Sequence, residues 1–276
     1  MMVNRIFHRE EKKPVLGFRE SKIELMLSQD EGKTFKPAGI LKTPPKSLSF
    51  VMGGIANLKN GDLVIPGYCY ASKNKGGSER QHPGYEYGSG FYRSLNGGKD
   101  WGPLEVVFRD PPAKGKKAQA FNEAAYAVLP DGNLTAYARV DVDDEAKDNK
   151  LWMCRSQNNG IDWTPPEETQ IAGIYPSIIK LQSGQFVLTC GKRDAKVGRT
   201  TSIFTSSNGI NWKYRGHPSY SHARADGWPL NTATGGAQAM IAIQTNTVYI
   251  VFYAHNPKLP GLNKTYIDGC LFDLSN

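Results

Sequence analysis

Short apolar runs along this chain are broken at intervals by tight polar pairs. Ile55-Ala56-Asn57-Leu58 leads through Asn60-Gly61 into Leu63-Val64, and Val128-Leu129 leads through Asp131-Gly132 into Leu134. Ile179-Lys180-Leu181 leads through Ser183-Gly184 into Phe186-Val187. A degenerate fourth copy runs from Ile241 through Asn246 to Tyr249. Asn-Gly or Asp-Gly between apolar runs predicts a β-hairpin, because the turn needs φ > 0 and the flanking runs supply two pairing strands.

A second repeat interleaves with the first. It places Ser or Thr first, a polar residue third, Gly fifth and an aromatic eighth. Its copies run from Ser28 to Phe35, from Ser94 to Trp101, from Ser156 to Trp163 and, with Ser207 in the third place, from Thr205 to Trp212. An Asp or Asn in such a turn accepts bonds from backbone amides a few residues on, and Gly takes the left-handed position. The aromatic then folds back over the turn. Each copy follows a β-rich stretch. One unit of the double repeat therefore reads as two hairpins, or four antiparallel strands, which is a propeller blade.

Counting units predicts one all-β propeller domain over residues 1–276. Residues 1–45 supply the outer strands of an incomplete unit, and further units cover approximately 46–115, 116–172, 173–232 and 233–276. Five blades are favoured, and an abbreviated six-bladed ring also fits.

Composition agrees with many short strands. The chain holds 29 Gly and 17 Pro among 276 residues, and its 39% hydrophobic content is enough for a packed core. No apolar run reaches the roughly 18 residues that a membrane helix needs, so no membrane insertion is expected. Residues 1–18 carry charges where a signal peptide has its apolar region, so no secretion signal is visible. That fits a cytoplasmic protein, or a secreted one without its leader.

The formal charge of +8 suits an acidic saccharide, a nucleic acid or solubility alone. No nucleic-acid motif accompanies the scattered Lys and Arg, and nucleic acid is not expected as a partner. Cys69, Cys154, Cys190 and Cys270 lie far apart without a CxxC pair. They read as buried thiols, with one disulfide left open and zinc not expected. Asp141, Asp143, Asp144 and Asp148 lack the spacing and glycine of a calcium loop and read as a solvated turn. Neither a metal nor a cofactor is expected.

The eight-residue repeat is similar to the Asp-box of the sialidase (neuraminidase) superfamily, and the similarity runs from about residue 20 to the end. It implies a sialidase-like β-propeller. The segment from Asn122 to Arg139 resembles the sialidase stretch in which a Glu opens the innermost strand and an Arg closes the next. By that resemblance Glu123 is a catalytic carboxylate and Arg139 belongs to a triad that grips a substrate carboxylate. A hairpin turning at Asp131-Gly132 brings both to the same end of neighbouring strands. An ion pair that only seals the blade top would look the same.

In the next unit Arg199 resembles the arginine that sialidase-like proteins carry shortly before the strand leading into a box, Arg193 ends its strand on the same side as Arg139, and Tyr175 lies near the start of that unit. Salt bridges to Asp194 or Asp141 would equally account for them. The resemblance breaks at three places. The first inner strand reads Phe50-Val51-Met52-Gly53-Gly54-Ile55 and lacks the arginine that sialidases carry. The loop before the second box has no Asp to act as acid/base. The last unit opens Thr234-Gly235-Gly236, with glycine where a nucleophilic tyrosine is expected.

A second carboxylate is therefore sought among Glu86, Asp194, Glu79 and Asp226. Two long insertions, 72–89 and 214–233, are read as binding loops, and the second carries Arg224 and Trp228 as sugar-contacting candidates. The expected activity is glycosidic hydrolysis of an acidic oligosaccharide or glycoconjugate. The rival expectation is a non-catalytic carbohydrate-binding or protein-interaction propeller.

Overall fold

The computed structural model describes residues 2–7, 21–44, 47–72, 85–109, 118–142, 150–194, 198–216, 234–255 and 265–274. Every regular element among them is a β-strand. The first sheet contains β1 (Met2–Phe7), β2 (Ser21–Leu27) and β3 (Lys36–Ile40). In the second, β4 (Ser47–Val51) and β5 (Ala56–Asn57) pair with β6 (Leu63–Ser72) as two halves of one interrupted strand, followed by β7 (Tyr85–Ser94) and β8 (Leu104–Phe108).

The third sheet runs β9 (Ala118–Val128), β10 (Leu134–Val142), β11 (Lys150–Ser156), β12 (Glu167–Ala172). The fourth runs β13 (Ile174–Lys180), β14 (Phe186–Asp194), β15 (Gly198–Ser206), β16 (Lys213–Gly216). The fifth has β17 (Thr234–Gln244), β18 (Thr247–His255) and β19 (Thr265–Asp273). All pairings within the sheets are antiparallel, as the hairpin repeats require.

The core is divided into layers between successive sheets. Ile23, Leu25, Ile65, Tyr92 and Trp101 fill the space between the first and second. Phe91, Phe108, Phe121, Tyr126 and Leu134 fill the next. Tyr137, Leu151, Leu188 and Cys190 join the third to the fourth, and Leu181, Val187, Ile203, Val248 and Phe252 join the fourth to the fifth. Contacts of β9 with β5, of β9 with β13, and of β13 with β17 put the first strand of the second to fifth sheets innermost. Face-to-face packing of four-stranded sheets about their first strands is propeller architecture, as the repeats predict.

Some strands run further than the polar composition suggested. Glu86 belongs to β7, opposite Ala71, rather than to the expected loop over 72–89. Asp141 belongs to β10, opposite Ala120, rather than to a solvated turn, and Tyr214 lies in β16. Pairing to an established neighbour strand overrides local composition at these ends. The four cysteines are free thiols, three of them buried.

The eight-residue turns are built as their chemistry requires. In the third, the Gly160 amide donates to Ser156 Oγ at 2.9 Å and the Asp162 amide to Asn158 Oδ1 at 2.9 Å. The Trp163 indole N–H donates to the Gly160 carbonyl at 3.0 Å. The fourth turn corrects the sequence alignment. Its leading serine is Ser206 and its acceptor is Asn208, which receives the Asn211 amide at 2.9 Å. Asn208 therefore fills the third place, and Ser207 does not. One residue is deleted: where the third turn has Asn159 and Gly160 both left-handed, the fourth has Gly209 alone.

Each of two turns is also held by the preceding sheet. Arg93, at the end of β7, pairs with Asp62 at 2.9 Å and Glu105 at 3.0 Å, and donates to the Asn159 and Gly160 carbonyls at 3.0 and 3.2 Å. Tyr137 in β10 donates to the Gly209 carbonyl at 3.1 Å and accepts the Trp212 indole N–H at 2.8 Å.

Two outcomes are expected. Arg93→Met leaves two acids and two carbonyls without their shared donor, and a loss of about 3 kcal/mol is expected from breaking such a largely buried cluster. Urea unfolding measures it. The second concerns Asp30, whose carboxylate accepts the Thr34 hydroxyl and amide and is thereby held down to about pKa 2 from 3.8. A depressed folded pKa means these bonds stabilise the fold above about pH 4 and lose their effect as pH falls toward 2. Asp30→Asn, which keeps the acceptor, is expected to flatten that part of the melting-temperature profile.

Candidate active site

The antiparallel order assigns the two ends of the sheets different jobs. In the second to fifth sheets odd members start where even members finish, so the hairpin turns and the eight-residue turns of these sheets fall at one end. Glu86 at the start of β7, Glu123 in the first half of β9, Arg139 late in β10 and Tyr175 at the start of β13 fall at the other. Arg193 and Asp194 at the end of β14 and Arg199 at the start of β15 share that end. The sequence reading brought Glu123 and Arg139 to one end through their shared hairpin, and the register does so. Arg224 and Trp228 lie outside the described residues, as do Glu79 and Asp226.

Glu123 does not open its strand. It sits within β9 at a bulge, where Asn122 pairs with Arg139 and Ala125 with Tyr137, leaving Glu123 and Ala124 opposite Ala138 alone. Its φ is 46°, in the left-handed region. An L-residue other than Gly, Asn or Asp is costly there, by about 1–3 kcal/mol. The same device recurs in the fourth sheet. Ile174 pairs with Gly191 and Ser177 with Thr189, and Tyr175 in the bulge has φ 52°.

The two bulges touch. Glu123 is 3% exposed, and Arg139 Nη1 donates to its Oε1 at 2.9 Å and to its Oε2 at 3.0 Å. The Tyr175 amide donates to Oε2 at 3.3 Å, and the Arg139 guanidinium lies 5.6 Å from the centroid of the Tyr175 ring. A carboxylate so buried needs compensation, and it receives a guanidinium from its own sheet and a backbone amide from the next. The aromatic face completes a small polar cluster across the junction of two sheets.

Arg193 is not the counterpart of Arg139. Arg139 follows the hairpin residue Leu129 by the same interval as Gly191 follows Leu181, so Arg193 stands two residues further along its strand. It pairs directly with Arg199, and Asp194 with Gly198. Among the described residues no cluster of His, Cys, Asp and Glu suits a metal ion.

The bulges at Glu123 and Tyr175 were not foreseen, although a signal for them exists. Both residues precede their hairpin leucines, Leu129 and Leu181, by the same six positions. Aligning the units on the hairpins rather than on the boxes would have superposed them.

This arrangement of four-stranded sheets around inner strands, with polar groups gathered at one end, defines a sialidase-like β-propeller. The chain belongs to the BNR repeat-like domain family, which its residues 7–216 match. None of the curated proteins matches it. Among solved structures it is similar to a protein of unknown function from Dyadobacter fermentans DSM 18053. The two share 19% identity over 98% of this chain and 71% of that one, with a TM-score of 0.64.

It is similar also to the NanB sialidase of Streptococcus pneumoniae, at 16% identity over 93% of this chain and 36% of that one, with a TM-score of 0.58. An α-L-arabinanase of Penicillium chrysogenum, complexed with arabinobiose, shares 15% identity over 83% of this chain and 68% of that one, with a TM-score of 0.53. Likeness at these identities is likeness of fold. The fold is one that glycoside hydrolases use.

The linkage between Glu123 and Arg139 can be weighed by a double-mutant cycle. Arg139→Met strands a buried carboxylate and is expected to cost about 3 kcal/mol, while Glu123→Gln with Arg139→Met together costs less than Arg139→Met alone. Denaturant unfolding of the three variants measures both terms.

Proposed function

We propose that this protein is a glycoside hydrolase of the sialidase superfamily that acts on an anionic glycan at the end of the propeller bearing Glu123. The observation that carries this reading is the strained, buried Glu123, held between Arg139 and the Tyr175 amide at the junction of two inner strands. Evolution keeps such backbone strain where a side chain must be aimed, and ligands of propellers gather around the inner strands.

In this reading Glu123 is a catalytic carboxylate, and hydrolysis needs a second carboxyl group across the glycosidic bond. Glu86 and Asp194 stand at the same end of the flanking sheets and are the candidates. One carboxyl protonates the leaving oxygen, and its partner either attacks the anomeric carbon or deprotonates the attacking water. Tyr175, Arg224 and Trp228 are assigned to substrate contact.

The anionic preference rests on the arginines of this end: Arg193 and Arg199 occupy paired positions on β14 and β15, and with Arg139 they are the guanidiniums assigned to a ligand carboxylate.

One observation favours a second reading. Both oxygens of Glu123 already accept bonds from Arg139 or Tyr175, as suits a group that shapes a binding surface without reacting. A carbohydrate-binding or protein-interaction propeller would have that character.

Hydrolysis of aryl sialosides, glucuronides and arabinofuranosides separates the two readings. Glu123→Gln is expected to lower kcat on the accepted substrate by about 10²–10⁴-fold, in a protein that still folds although its pair with Arg139 is weakened. Undiminished turnover in that variant removes Glu123 from the mechanism. A protein inert on the whole panel that still retains glycans on a printed array is a binding propeller.

A further inference from the structure

The fifth sheet is apolar on both faces, but the described residues cover only one. Val248, Ile250 and Phe252 of β18 are buried against the fourth sheet, with Met240 of β17 and Phe272 of β19 packed beside them. Side chains alternate along a strand, so the residues between these point the other way. There Ile241 pairs with Tyr249 and Tyr249 with Leu271, which sets three large apolar side chains in one row across the sheet. Ile241 is 60% exposed, Tyr249 38% and Leu271 66%, and Ile243 close by is 52% exposed. Ala239, Val251 and Gly269 form the row on one side, and Gln244, Thr247 and Asp273 the row on the other. A Cβ at Gly269 would collide with the Tyr249 hydroxyl, so the tyrosine lies down across the glycine and keeps the face level.

Faces of this kind are covered elsewhere in the molecule. An apolar layer joins each sheet from the first to the fourth to the next one, whereas among the described residues none joins the fifth to the first. The first sheet is also poorly suited to cover it. Its Ile23 and Leu25 face the second sheet, so Lys22 and Glu24 lie on the free side, where they pair at 3.3 Å. Closing that side onto the Ile241 row would take both charges out of water against apolar side chains.

The face does fit a second copy of itself. A two-fold axis lying in the plane of contact along β18 sets Tyr249 against the partner's Tyr249 and Ile241 against the partner's Leu271. It also sets Asp273 against the partner's Gln244, whose amide can donate to it, and keeps the two acids apart. Apolar centre and polar rim thus match under one operation, as an isologous interface requires. The four exposed side chains present roughly 400 Å² of apolar surface, the size at which a patch marks an interaction site. With the flanking rows, two copies would bury about 1,000 Å², the low end for a specific dimer.

We propose that the free face of the fifth sheet is a self-association surface, on which two copies of this chain pair about a two-fold axis through the Ile241, Tyr249 and Leu271 row. The pairing is independent of any chemistry at Glu123.

Sedimentation velocity of the full chain over a range of concentrations tests it. Wild type is expected to dimerise with a Kd of about 1–100 µM. Leu271→Lys and Ile241→Lys bring a charge into the contact and are expected to weaken dimerisation by about tenfold or more. Ile241→Thr keeps the β-branch and is expected to show a smaller loss, which decides the matter where a lysine variant fails to fold. Leu95→Lys, at a 77% exposed position in the turn from Ser94 to Trp101, leaves the dimer unchanged. Circular dichroism at low concentration reports the fold of each variant. Tyr249→Cys lies on the axis and is expected to give disulfide-linked dimers on mild oxidation, beyond the level of wild type.

A wild type that stays monomeric overturns the proposal, whatever else then covers the face. A dimer indifferent to the substitutions at 241 and 271 overturns it too, because its interface lies elsewhere. A dimer that these substitutions break but Tyr249→Cys does not cross-link overturns the two-fold pairing.

Discussion

The site depends on one backbone constraint: the innermost strand of a propeller sheet must turn a residue aside from the ladder without breaking the hairpin behind it. A single extra residue in the left-handed region does this at Glu123 and again at Tyr175. Neither residue is one that tolerates such a conformation cheaply. What offsets the strain is visible in the bonds the turned groups make. Glu123 receives Arg139 from the adjacent strand, and the peptide of Tyr175 donates to the same carboxylate from the next sheet. Each bulge is thus part of the other's justification. The pair spans a junction between sheets that apolar packing alone would leave free of such a directional contact.

The opposite end carries the stability. There the eight-residue turns close on their own serines and asparagines, and Arg93 and Tyr137 reach from one sheet into the turn of the next. Loss of one residue from the fourth turn is accommodated at that junction. Its tryptophan bonds the Tyr137 hydroxyl, and that hydroxyl reaches the glycine carbonyl, whereas Trp101 and Trp163 reach their glycine carbonyls directly.

That division explains what could be read from the sequence. Turn chemistry is local: Ser156, Asn158, Gly160 and Trp163 meet within eight residues, so spacing alone announces the fold. The pairing of Glu123 with Arg139 was also legible, since one hairpin at Asp131-Gly132 joins them. Contacts between sheets were not. Nothing near Tyr175 in the chain announces that its amide meets Glu123, and Arg93 gives no local sign of the turn it holds at Asn159 and Gly160. Even the fourth turn was misaligned by one residue, because Thr205 and Ser206 are both acceptable leading hydroxyls and only backbone geometry chooses Ser206.

The inner strands finally show how one blade design serves different purposes. All four sheets whose innermost strand is described interrupt that strand, at one level in the third and fourth sheets and a residue or two away in the second and fifth, and the residue at the interruption differs: Gly53, Glu123, Tyr175 and the Gly235-Gly236 pair. A left-handed or irregular position costs glycine little, so the second and fifth sheets satisfy the geometry cheaply. The third and fourth accept the strain and contribute a charge and a ring. The asymmetry makes a mouth with one chemically equipped side from an otherwise repetitive ring.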